Sequence, residues 1–208
     1  MRVSIDCRYI RERPSGIGAY VRALASRVPR LAPSDRFHLW ASPSAKRPLT
    51  SFPNVEETVV RAPANSPATL WWPSSLASLR DADVLHAPFN LLGRGIPCAS
   101  VVTLHDLIWL LTPRAAEGLS LVTPFQALFY RDGILRALRR ATRIVAISRA
   151  TADAIHLFAP EARRRVRVIH HGIEARFRPP ASLDGAREAA ARILGEAEPY
   201  FLVVGQNA

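Results

Sequence analysis

Two histidines, His86 and His105, stand at the ends of the apolar segments DVLHAPFN and SVVTLHDLI, and Asp106 follows the second directly. An imidazole at a strand end can hydrogen-bond a hydroxyl or meet developing charge, and a neighbouring carboxylate can orient its ring. Taken singly, each histidine reads equally well as a hydrogen-bonded structural residue; on successive strand ends they point to a site. Asn90 closes the first of these segments. Other chemistries lack their partners. No local Cys/His spacing of the zinc-binding kind accompanies the pair, and no G-x-S-x-G turn supplies a serine nucleophile.

A second group of residues suits anions. In RERPSGIGAY, Gly16 and Gly18 open a helix, where free backbone amides attract phosphate and the missing side chains allow close approach. The dinucleotide fingerprint G-x-G-x-x-G is incomplete, because Val21 stands where its third glycine belongs. In RIVAISRATADAI, Ser148 follows a strand and precedes a helix, so its hydroxyl serves either as a helix cap or as an anion contact.

The elements that position these residues alternate along the chain. Strands are expected at residues 2–7, 36–41, 55–60, 83–87, 100–104, 143–147 and 166–170. Helices are expected at 18–28, 68–79, 122–141, 149–158 and 181–194. Tyr20, Val21, Leu24 and Val28 give the first helix an apolar face. Strand and helix in turn, with strands rich in Val, Ile and Leu, mean an α/β fold with a doubly wound parallel sheet, whose ligands sit at the carboxyl ends of the strands. The terminal YFLVVG reads as another buried parallel strand.

Composition sets bounds. With 208 residues and 49% apolar content, the chain has material for a substantial core. No apolar run approaches the roughly 18 residues of a membrane span. Arg2 leads directly into a short alternating strand, so no secretory signal is expected and the cytosol is the default location. Cys7 and Cys98 are expected as free thiols. The net charge of +11 comes from 27 arginines and one lysine, Lys46. Arg136, Arg139, Arg140 and Arg143 fall near one helical face, and Arg163, Arg164 and Arg165 precede a strand. Either set is a solvated surface or an attractor of phosphate, anionic lipid or nucleic acid. No nucleic-acid recognition motif accompanies the charge, so no nucleic-acid partner is expected.

In order, SGIGAY, LHAPFN, VVTLHDL, RIVAISRAT, RVRVIHHGIEARFRP and YFLVVGQNA together resemble the retaining glycosyltransferases of the two-Rossmann-domain (GT-B) type, family 4. Within that family they are most similar to bacterial mannosyltransferases of surface polysaccharide assembly. The resemblance implies an N-terminal, acceptor-side domain over residues 1–178, a linker and helix over 179–198, and the first strand of a donor-binding domain over 199–208. It implies a nucleotide-diphosphate sugar as donor substrate, a glycan or lipid-linked acceptor, and transfer with retained configuration without a cofactor or metal. The acidic Asp81-Ala82-Asp83 resembles the metal-holding triplet of single-domain transferases but leads straight into a strand. By the same resemblance, His105 lies near the transferred sugar with Asp106 orienting it; Gly16, Gly18 and Ser148 face the donor phosphates, and His86 and Asn90 the acceptor. Trp71, Trp72, Trp109 and the arginine-rich helix suit a peripheral contact with an anionic membrane, although packing beneath a loop explains the tryptophans equally well. The alternatives are a non-catalytic nucleotide-binding Rossmann domain and a basic nucleic-acid-binding module.

Overall fold

The computed structural model describes residues 1–13, 15–111, 124–174, 177–195 and 201. Strands β1 (Arg2–Cys7), β2 (Arg36–Ala41), β3 (Val55–Val59), β4 (Val84–Ala87), β5 (Ala99–Leu104), β6 (Arg143–Ala146) and β7 (Val166–Val168) form one sheet in the order β3-β2-β1-β4-β5-β6-β7. Every neighbouring pair is parallel. The expected α/β doubly wound sheet is therefore present. Strand order reverses between β1 and β4, and a crevice opens at such a switch point beyond the carboxyl ends of the strands.

Parallel strands need crossovers, and right-handed crossovers place helices on opposite faces to either side of the switch. On one face, α1 (Gly16–Leu31) sets Val21 and Ala25 against Ile5, Cys7, Phe37 and Leu39. On the other, α4 (Pro124–Arg140) and α5 (Arg149–Phe158) bring Ile134, Leu138 and Ile155 against Val102, Leu104 and Ile144. These aliphatic side chains are fully buried, worth about 1.5–3 kcal/mol each. Inter-strand register keeps Ile5, His86 and Val101 level, so the two-residue period of β5 carries Thr103 to the α1 face as well. Cys7 is buried, Cys98 half-buried, and both are free thiols.

Several boundaries differ from the expected ones for local reasons. The helix expected over 68–79 is α2 (Pro67–Trp71) followed by a 3-10 turn at Pro73–Ser75. Pro73 has no N–H to continue the ladder. A short α3 (Ile108–Leu111) follows β5. Among the arginines, Arg143 opens β6 instead of extending the face of α4, and Arg136 pairs with Asp132 one turn earlier. Arg165 donates to the carbonyls of Ala141 (2.6 Å) and Leu138, closing the C-terminal end of α4. Arg139, Arg140, Arg163 and Arg164 remain exposed.

The chain divides into two compact units, Met1–His170 and His171–Ala208. In the second, α6 (Leu183–Leu194) starts on Ser182, whose side chain accepts from Gly185 N, and ends on Gly195 at φ 83°. The strand expected over 199–208 lies, apart from residue 201, outside the described residues.

Candidate active site

The first unit brings the predicted histidines to one place, on the α1 side of the switch point. His86 lies within β4, half-buried, with Nε2 3.0 Å from Thr103 Oγ1. The hydroxyl of Tyr20, on the second turn of α1, lies 3.0 Å from the same Oγ1. The Tyr20 ring then meets His105 edge-on, with centroids 5.3 Å apart. A continuous path therefore joins β4, β5 and α1. Burial pushes the His86 ring down to about 4, so it stands neutral at physiological pH and acts through Thr103. Burial also raises the Tyr20 phenol, with the Thr103 hydrogen bond working in the opposite sense.

His105 is held from several directions. Its backbone N–H donates to Asn90 Oδ1 at 2.8 Å, and its backbone carbonyl accepts from Thr151 Oγ1 at 3.1 Å. Ring Nε2 lies 2.9 Å from the Pro88 carbonyl, which can only accept; that nitrogen therefore carries a proton. Phe89 flanks the ring on a second side, at 5.7 Å. Asn90 is 1% exposed and has φ 31°, in the left-handed region that Asn enters more readily than most residues. Its own N–H donates to the Thr103 carbonyl at 2.9 Å, tying the turn after β4 to β5.

The remaining predicted residues take definite positions. Asp106 is exposed, and Oδ1 accepts from Ile108 N at 3.1 Å, so its bond leads into α3 while Pro88 fixes the histidine ring. Asn90, expected on the acceptor side, is buried and spends its side chain on His105. Gly18 is required by packing: a Cβ there would lie 2.8 Å from the Tyr9 carbonyl. Gly16 faces open space, with nothing within 4 Å of a Cβ built on it. Ser15, one residue earlier, caps α1 by accepting from Gly18 N at 3.0 Å. Ser148 caps α5, accepting from Thr151 N at 3.0 Å. Among the described residues, no three His, Cys, Asp or Glu side chains gather as a metal-binding group.

Sequence reading passed over the pair beneath this wall. Asp6 and Arg8 form a bidentate ion pair (Nε–Oδ1 2.8 Å, Nη2–Oδ2 2.6 Å), and Arg8 is 1% exposed. Arg8 Nη1 also donates to the Ala62 carbonyl at 3.0 Å, and the guanidinium lies 5.8 Å from the Trp40 ring centroid. The pair thereby anchors the loop that leads to Gly16. A carboxylate inside β1 and an arginine just beyond its end were the available signal. Aromatic rings continue the rim: Tyr9 meets Phe89 at 5.2 Å across the switch point, Phe89 meets Tyr130 at 6.5 Å, and Trp109 stacks on Tyr130 at 4.5 Å.

A half-buried neutral imidazole, a tyrosine hydroxyl and a pinned histidine, placed beside an open helix N-terminus, form a polar wall suited to hydroxyl-rich and phosphate-bearing ligands. No curated protein matches the chain. The profile described as Glycosyltransferase Family 4 matches residues 14–177, a span that includes α1, His86, Asn90, His105, Ser148 and Thr151. Such a domain implies a nucleotide-sugar donor and an acceptor, and the chain accordingly belongs to Glycosyltransferase Family 4.

Proposed function

We propose that the chain supplies the acceptor-side half of a retaining, two-domain glycosyltransferase, working without metal or cofactor on a nucleotide-diphosphate sugar. Mannose is the donor sugar favoured by the sequence resemblance, and a glycan or lipid-linked glycan is the acceptor. The observation that carries the reading is the convergence of His105, Tyr20 and the open Gly16 helix start at the switch point of the sheet. In this reading Gly16 lies beside the diphosphate, and His105 meets the transferred sugar or the charge that develops on its ring. A second, donor-binding domain provides most of the nucleotide-sugar contacts, this chain keeping part of the phosphate and sugar side, so the 208-residue chain alone binds the donor but transfers no sugar.

An exposed aromatic patch supports a peripheral contact with an anionic membrane on the cytosolic side. Trp72 and Phe125 are 63% and 54% exposed, Trp71 lies between them with centroids 6.4 and 6.2 Å away, and Leu128 is exposed on the next turn of α4. Exposed Arg131, Arg139 and Arg140 lie on the same helix. Aromatic rings beside cationic side chains suit a lipid headgroup layer. Among the described residues, no helix is long and apolar enough to cross a membrane.

Calorimetric titration of the chain with GDP-mannose, UDP-glucose, NAD and duplex DNA tests the class: sugar nucleotides bind and the others do not. NAD binding alone would favour a non-catalytic Rossmann domain, and DNA binding a basic module. Sugar transfer by the isolated chain would overturn the two-domain reading. Vesicles of anionic phospholipid pull the chain down at low salt, less so after W72A; no sedimentation at any salt removes the membrane contact.

A further inference from the structure

Ser148 caps α5 and Thr151 lies in its first turn, and hydrogen counting fixes the direction of their bonds. Thr151 Oγ1 lies 3.1 Å from the His105 carbonyl, which can only accept, so the single threonine hydroxyl proton goes there. The 2.9 Å contact between Ser148 Oγ and Thr151 Oγ1 must then be donated by Ser148. Ser148 Oγ meanwhile accepts from Thr151 N at 3.0 Å. The result is a one-way chain, Ser148 O–H to Thr151 O–H to His105 C=O, which leaves Ser148 no proton to offer an anion. On the other side of residue 105, the N–H is held by Asn90 Oδ1 at 2.8 Å, and Asn90 is itself 1% exposed.

We infer that Ser148 and Thr151 are positioning residues for His105: the first turn of α5 sets the orientation of the 105 peptide group through two hydroxyls, and Ser148 is not a phosphate donor. The functional weight of this inference rests on His105 lying at the reaction centre; the hydrogen-bond chain itself does not. A hydroxyl pair of this kind matters because small displacements of a reacting group lose rate steeply. Ser148 alone would be an ordinary cap. The donation onward to Thr151 is what a cap does not need.

Three substitutions separate the roles. T151V removes the hydroxyl at nearly constant volume, and T151S restores it. S148D keeps a capping acceptor for Thr151 N–H but, as a carboxylate, has no proton to donate. The first readout is the ring 15N shifts and tautomer of His105, and its backbone amide shift, by NMR on the 208-residue chain. T151V and S148D move these signals, T151S returns them, and S148D unfolds at the parent temperature. The second readout is steady-state transfer by the full-length enzyme that contains this chain: kcat falls about tenfold to hundredfold in T151V and S148D with KM little changed, and T151S recovers it. Parental His105 signals in both T151V and S148D would overturn the inference. If those signals move but H105A transfers sugar at the parental rate, the positioning chain stands and the proposed function fails.

Discussion

At the N-terminal ends of β1 and β2, a cavity of about 750 Å³ is bordered by Arg2, Arg36, His38, Glu56 and Asp81. One of its charge pairs is loosely held: Arg2 and Asp81 lie 3.7 Å apart, with side chains 56% and 79% exposed. At the carboxyl ends of β1, β4 and β5 the polar groups are held in fixed bonds, with Asp6 locked to Arg8, His86 to Thr103, and His105 to both Asn90 and Thr151. A hollow of that size thus lies away from the converged polar groups. Volume follows from where a helix fails to cover the sheet, whereas a site follows from where buried polar groups are made to converge. Such groups are costly to desolvate and persist only when satisfied.

The contrast can be broken most strongly at the ion pair. Asp6→Ala leaves the Arg8 charge buried without its carboxylate and is expected to cost about 3–5 kcal/mol, read from the urea midpoint of unfolding. The next effect comes from His86. Its folded value of about 4 lies below the ordinary 6.5, so the unfolded chain binds the proton first as acid is added. Stability is complete above pH 6.5, declines between 6.5 and 4, and loses about 3 kcal/mol from this group in all. The ring of His38 at the opposite end is also pushed down by burial, so the clean measurement is the difference between parent and His86→Asn across that window; equal slopes would remove His86 from the account. Ser148→Ala removes a cap and should cost about 1 kcal/mol in thermal unfolding. Smallest of all, Arg2→Ala at the loosely held end should change stability by less than about 1 kcal/mol, and a larger loss would erase the distinction between the two ends.

How much of this was legible depended on the range of the cause. The strands declared themselves through runs such as Ser100 to Leu104, and the alternation of elements was enough for a doubly wound sheet. The start of α5 was readable from Ser148, because caps act within a few residues, whereas α1 runs from Gly16 to Leu31, beyond the expected 18–28 at both ends. His105 was locatable as the residue beyond a buried strand. What was hidden depended on contacts set by strand order. Tyr20 and Thr103 are 83 residues apart in sequence, and His105 and Thr151 are 46 apart. Tyr20 reads as one more apolar position on α1 until β5 is known to lie beneath it. Arg165 reads as part of a basic run until the end of α4 is brought to it. Gly133 is a similar case: it looks like a weak point inside a helix, yet a Cβ there would collide with Leu91 from the turn after β4. The break of α2 at Pro73 was legible in the sequence, as were the charges of Asp6 and Arg8 at the end of β1.

Asn90 answers two demands that are usually met by different residues. Its backbone turns where few side chains tolerate turning, and its amide oxygen holds the peptide of residue 105. Glycine would satisfy the bend and drop the hold; aspartate would keep an acceptor but bring a charge into a place sealed from water; branched side chains would meet neither demand. Across descendants of this chain, drift at position 90 should therefore be among the narrowest anywhere on the sheet edge.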